Sequence, residues 1–249
     1  MKRITLTCFL AIWALVSMAQ SDLLPSKKGG IKMTPIFHAT LVLEWNGKTV
    51  YVDPYNGADG FKSFSDADII VITHAHGDHM NLETLKRLNL KKTTVFAPES
   101  VVSEISSLPF QEIISIKNGE TDTKYGIEIE ALPMYNLPED ETSRHKKGWG
   151  NGYILTLGGQ RLYFSGDTED IPEMRNLKDI DYAFVCMNLP YTMDIDEAAS
   201  AVLDFKPKHM YPFHFRGGGG TFADVEKFKE MVMSKNAKID VRLRDWYKN

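Results

Sequence analysis

Cysteine is nearly absent from this 249-residue chain, which has only Cys8 and Cys186. A disulfide framework of the kind that holds small secreted domains together is therefore excluded. No apolar run is long enough to make a comfortable membrane span. No basic block occurs and the formal net charge is −4, which argues against nucleic acid as a partner. Internal repeats, low-complexity tracts and composition breaks are also missing, so nothing marks a second domain. Histidine is scarce too, with seven in the chain, yet three of them crowd into positions 74–79.

What remains is ordinary globular composition, 43% hydrophobic and 25% charged. The length suits one large α/β domain stabilised by its core. Residues 1–19 read as a cleavable signal peptide. Lys2 and Arg3 open it, Ile4 to Val16 form a short apolar stretch, and Ser17-Met18-Ala19 supplies small residues before a cut after Ala19. Export to the periplasm or medium is the expectation. Cleavage shifts the net charge from −4 to −6 and leaves Cys186 as a small buried hydrophobe. Residues 20–34, polar with a Gly-Gly break, read as a flexible lead-in to a domain over 35–249.

The organising stretch is Thr73-His74-Ala75-His76-Gly77-Asp78-His79. An apolar run over 68–72 predicts a buried strand before it, and leucine spacing predicts a helix over 81–88 after it. In extended backbone, residues two apart face one side, so His74 and His76 aim at one spot. Gly77 permits a sharp turn that returns Asp78 and His79 there. Three imidazoles and a carboxylate are a ligand set for zinc or a similar metal.

Upstream, strands over 36–45 and 49–53 are joined by Asn46-Gly47, a strong hairpin signal. His38 reads as a hydrogen-bonded scaffold histidine within the first strand, and Asp53 as an acceptor behind the metal's histidines. Downstream, the alternation predicts strands at 94–97, 112–116 and 124–132, with a helix from Pro98. A long charged loop, 137–151, precedes a hairpin turning at Gly158-Gly159. Its second strand ends in Ser165-Gly166-Asp167-Thr168, where the glycine lets a carboxylate approach a metal. The next apolar strand is read at 185–189. An amphipathic helix is expected over 194–205. His209 opens a further strand and should face solvent, whereas His214 closes it. Arg216 and Gly217–Gly220 then offer an anion-binding element before a helix over 222–234 capped by Thr221.

The pattern His-x-His-x-Asp-His, followed by Ser-Gly-Asp-Thr, resembles the metallo-β-lactamase-fold hydrolases. The resemblance covers nearly all of the mature chain. His38-Ala39-Thr40 is similar to the Gly-His-Ala-Ser/Thr element of one branch, which includes ascorbate-phosphate lactonase-like proteins and the N-acyl phosphatidylethanolamine phospholipase D; Phe37 stands where that branch has glycine. The resemblance implies a four-layer αβ/βα sandwich of two mixed sheets flanked by helices. It implies zinc, one or two ions, with manganese or iron as alternatives. His74 and His76 would hold the first metal, and Asp78, His79 and His214 the second, with Asp167 bridging. The histidine that the family places after a strand near Pro133-Met134-Tyr135-Asn136 is missing. His145, Tyr135 or Asn136 would have to complete the first position.

The implied chemistry is hydrolysis of an ester, lactone or phosphodiester of a small molecule by metal-bound hydroxide. Asp78 would orient the water, Tyr135 or His145 would assist the leaving group, and Arg216 and Asn136 would bind substrate. Two other readings are a mononuclear non-haem iron dioxygenase and a non-catalytic binding protein of the same fold.

Overall fold

The computed structural model describes residues 21–247, so the expected signal peptide lies outside the described residues. Two seven-stranded sheets are built alike. The first runs in sequence order through β1 (Asp22–Leu24), β2 (Ile31–Phe37), β3 (Thr40–Trp45), β4 (Lys48–Val52), β5 (Ile69–Val71), β6 (Thr94–Ala97) and β7 (Glu112–Ser115). The second runs through β8 (Thr121–Lys124), β9 (Ile127–Met134), β10 (Gly150–Leu157), β11 (Gln160–Phe164), β12 (Tyr182–Val185), β13 (His209–Pro212) and β14 (Asp240–Val241). In each sheet the first four strands pair antiparallel and the remainder parallel. Both sheets are therefore mixed, as expected.

Alternation along the strands separates the layers. Leu41, Leu43, Val50, Val52, Ile69 and Val71 share one core with the second sheet. Their neighbours Val42, Tyr51 and Ile70 pack instead with Leu85 of α1 (Leu82–Arg87) and with Val101 and Ile105 of α2 (Glu99–Ile105). On the other side lie α3 (Pro172–Arg175), α4 (Ile195–Phe205) and α5 (Val225–Lys235), whose Met174, Val202 and Phe228 join the larger core. The result is the four-layer sandwich.

Several local expectations are corrected. The segment read as a flexible lead-in carries β1 and the start of β2, with Asp22 opposite Met33 and Leu24 opposite Ile31. Burial of Leu24, Ile31 and Met33 fixes it. Asp22 also accepts three hydrogen bonds from the Arg244 guanidinium at 2.7–3.0 Å and one from the Tyr211 hydroxyl at 2.6 Å, tying the first strand to the C-terminal segment. The strand read at 124–132 is a hairpin, β8 and β9, turning at Tyr125-Gly126. The strand read at 185–189 ends at Val185. Asp224, not Thr221, caps α5, accepting from the Lys227 N–H. His209 is half-buried, stacked on Tyr182 and paired with Asp240 at 3.0 Å.

Candidate metal centre

The candidate ligands gather where strands of the two sheets end. His74, His76, Asp78 and His79 follow β5, Asp167 follows β11, His214 follows β13, and His145 comes from the loop between β9 and β10. Carboxyl ends of parallel strands are where α/β sheets place their ligands. Two glycines permit the close approach. A Cβ on Gly150 would lie 2.9 Å from that of His74, and Gly166, at φ +61°, leaves no room beside the Met134 sulfur.

Each inner imidazole is anchored on one side and bare on the other. Asp53, just past β4, accepts from the Thr73 N–H and hydroxyl, both at 2.7 Å. The hydroxyl proton being committed there, His74 Nδ1 donates to Thr73 Oγ1 at 3.0 Å. Asp53 also receives His79 Nδ1 at 2.7 Å, which is the acceptor role expected of it. His145 Nδ1 meets Asn136 Oδ1 at 3.0 Å. All three rings therefore present Nε2 to the cleft. His74 Nε2 lies 3.1 Å from His76 Nδ1, which lies 3.3 Å from His145 Nε2.

A second group forms beside the first. Asp167 Oδ1 lies 3.4 Å from His79 Nε2 and 3.5 Å from His214 Nε2, and Asp78 Oδ2 is 3.4 Å from the same His214 nitrogen. Asp167 Oδ2 reaches toward His145 Nε2 at 3.6 Å. The carboxylate thus spans both groups.

The donor chemistry fits a metal. His79 Nε2, Asp167 Oδ1 and both ring nitrogens of His214 are buried with no hydrogen-bond partner. Orphaned atoms of this kind cost about 1–3 kcal/mol each, and facing lone pairs at hydrogen-bond distance are satisfied only by cations. Three sets of donors lie within 4.8 Å of one another: His74, His76 and His145; His74, His79 and Asp167; Asp78, His79 and His214. The first set brings His145 to the place where the sequence lacks the family's histidine.

The electrostatics agree. Burial, helped by neighbouring His79, drives His74 well below the usual imidazole range, and burial lowers His145 to about 4. Both are thus neutral, as a metal ligand must be. Asp167 is held well below the carboxylate range by His214 and His79 in spite of its burial. His214 and His79 do the same for Asp78. His79 is the exception: against its burial, Asp167 and Asp53 raise it well above the usual value. Without metal, a proton there balances the two carboxylates.

Two of the expected site residues point elsewhere. Tyr135 turns its hydroxyl away, donating to Glu173 at 2.9 Å with Lys147 at 3.4 Å, so it neither completes the metal position nor assists a leaving group. Asn136 does not face the cleft either, since its amide nitrogen donates to Glu169 and Tyr191 O and its oxygen holds His145. The glycine loop spends the N–H groups of Gly217, Gly218 and Gly220 on chain carbonyls, so its backbone forms no anion nest. Arg216 does line the cleft, which encloses about 370 Å³ together with His76, Asp78, Asp167, His214 and Arg144. Sequence reasoning missed Arg144, which lay in an aperiodic loop. It also missed Trp149, whose ring sits 4.8 Å from that of His76. His38, as expected, is a hydrogen-bonded scaffold histidine, set between Arg216 at 2.8 Å and the Tyr247 hydroxyl at 3.1 Å.

Two mixed sheets with a carboxylate-bridged histidine cluster at their shared edge define a two-sheet α/β metalloprotein. A family profile described as beta-lactamase superfamily domain matches residues 32–214, and the chain belongs to that family. A UPF0173 metal-dependent hydrolase of Pyrococcus furiosus is 30% identical over 84% of this chain and 95% of its own. A crystal structure of a provisionally assigned metal-dependent hydrolase from Parabacteroides distasonis superposes with a TM-score of 0.81 at 37% identity, over 92% of this chain and all of that one. A metallo hydrolase of Ignicoccus hospitalis, at 24% identity and TM-score 0.73 over 88% and 96% of the two chains, shares the fold.

Proposed function

We infer that this chain is a metal-dependent hydrolase of a small molecule, cutting an ester, lactone or phosphodiester bond with two divalent ions, zinc for preference. The carrying observation is the convergence of His145 with His74 and His76, which makes seven donors in two groups sharing Asp167. A mononuclear iron site of two histidines and one carboxylate would leave most of those donors idle. Metal held by His74, His76, His145, Asp78, His79, Asp167 and His214 would supply an acidified water and Lewis-acid polarisation of the bond to be cut.

The chain's own residues do the rest. Asp53 and Thr73 hold His74 and His79 in one tautomer, Asn136 does so for His145, and Asp167 sets the spacing of the two groups. Asp78, the half-buried carboxylate at the cleft mouth, is placed to orient the attacking water. Tyr191 lines the cleft, and Trp149 packs against the rings of His74 and His76.

The narrower likeness to the lactonase and phospholipase D branch rests on His38-Ala39-Thr40, and a lactone or phosphodiester substrate is the form it favours. Export with cleavage after Ala19 is supported by the sequence of residues 1–19. Among the described residues, no helix is long and apolar enough to cross a membrane. The test is a screen of zinc-, manganese- and iron-loaded protein against chromogenic esters, lactones and phosphodiesters, with oxygen uptake followed in parallel. Turnover abolished by chelation and by Asp167→Ala is expected. Oxygen consumption without hydrolysis would sink the hydrolase reading.

A further inference from the structure

Two arginines line the metal cleft, Arg144 and Arg216, and among the described residues neither has a carboxylate partner. Elsewhere the guanidinium groups pair readily: Arg87 with Asp59, Arg175 with Asp170 and Asp204, Arg244 with Asp22. The carboxylates that line this cleft, Asp78 and Asp167, are both aimed at the metal positions. Once those positions hold divalent ions, the two carboxylates are neutralised and the cleft carries uncompensated positive charge. A cleft of one sign with low-dielectric walls concentrates the opposite ion.

The arginines are seated rather than loose. Arg216 lies against the rings of Phe37 and Tyr247, at 5.2 and 5.1 Å from their centroids, where the two rings meet edge-on 5.5 Å apart. Its Nη2 donates to His38 Nε2 at 2.8 Å. A guanidinium only donates, so His38 carries its proton on Nδ1, toward the Tyr247 hydroxyl, and leaves the Arg216 charge unopposed. Phe37 is the residue that departs from the glycine of the resembling motif, and here it forms one wall of the arginine's seat. Arg144 stacks on Tyr191, 4.5 Å from its centroid, next in sequence to the ligand candidate His145. Aromatic faces hold a guanidinium in place while leaving its edge donors free for a planar oxyanion. With the N–H groups of Gly217, Gly218 and Gly220 spent on chain carbonyls, these two guanidinium groups are the cationic donors that line the cleft beside the histidines.

We propose that Arg144 and Arg216 form an oxyanion-binding pair on the rim of the metal cleft, so that the substrate carries an ionised carboxylate or phosphoryl group beside the bond that is cut. The inference rests on the hydrolase reading for the bond, but not for the binding. The zinc-loaded protein is titrated calorimetrically with butyrate, glutarate and 4-phosphonobutyrate, three probes that share one carboxylate and differ at the other end. Glutarate or phosphonobutyrate should bind tighter than butyrate by roughly tenfold to a hundredfold, the scale of a hydrogen bond between charged groups. The better of the two identifies the oxyanion.

Arg144→Gln and Arg216→Gln should each remove most of that advantage, and Arg216→Lys should retain part of it. Arg144 is exposed, so its variant tests the pair even where Arg216→Gln fails to fold. Equal affinity for all three probes, or an advantage unchanged in Arg144→Gln and Arg216→Lys, overturns the proposal. Dianion preference without turnover of any ester would uphold the pair and remove the hydrolase reading.

Discussion

Asn136 grips His145 twice through a single oxygen, accepting from the backbone N–H at 2.9 Å and from Nδ1 at 3.0 Å. Its amide nitrogen faces two acceptors, Glu169 Oε1 and Tyr191 O, so the side chain cannot be turned the other way round. The tautomer of His145 follows, and with it the lone pair on Nε2. Asn136→Ala should therefore weaken metal binding at the first position by about 10- to 100-fold, the usual effect of losing a partner behind a ligand. Competition with a chromogenic chelator measures it. An unchanged dissociation constant would mean that His145 is not a ligand.

Metal content should follow the shared carboxylate. Asp167→Ala should cause the largest loss, followed by His214→Ala. His145→Ala should keep about one ion of two, since the second group retains its donors. Elemental analysis after dialysis is the readout, with His209→Ala as a control that loses nothing. Two equivalents retained in His145→Ala would remove it from the ligand set.

Tyr135→Phe should leave metal content and turnover unchanged. It deletes a hydroxyl that serves Glu173 rather than the cleft, at a stability cost of about 0.5–1.5 kcal/mol. Denaturant melts beside a turnover assay check this. A large fall in turnover with stability intact would return Tyr135 to the chemistry.

Burial pushes the Cys186 thiol up to about 12, with nearby Asp167 acting in the same direction. The native protein should not react with a thiol reagent at mild pH, whereas the unfolded protein should. The thiol count then tests export, since loss of residues 1–19 leaves one cysteine and retention leaves two. The unfolded thiol ionises near 9 and the folded one does not, so above pH 9 the unfolded state binds fewer protons. This contribution is intact below pH 9 and is lost as pH rises toward 12. Cys186→Ala should flatten the alkaline fall of the denaturation midpoint, and a fall identical to wild type would refute the assignment.

The fold and most of the donors were legible because they sit at strand ends marked by local signals. A continuous apolar run announced β5, the Gly158-Gly159 turn announced β11, and glycine beside Asp167 announced a close approach. His145 was harder to place. Its position depends on pairing of its carbonyl with the Asn136 N–H at 2.9 Å, a contact that no periodicity encodes. The failure of Tyr135 has a simple cause, since its hydroxyl is engaged by Glu173 and Lys147. In the lead-in, Ile31 and Met33 already alternated. Ser, Lys and Gly around them outweighed that pattern until β3 supplied a partner.

The clamp between Asp22 and Arg244 has a consequence for biogenesis. The two residues are 222 positions apart, so a ribosome delivers the first of them long before the second exists. Hairpins such as β3 with β4 can close while synthesis continues, but the opening strand must wait with its aspartate unclaimed. The opening strand of the sheet is thus among the last elements to be fastened, and a cut that removes Arg244 would release it.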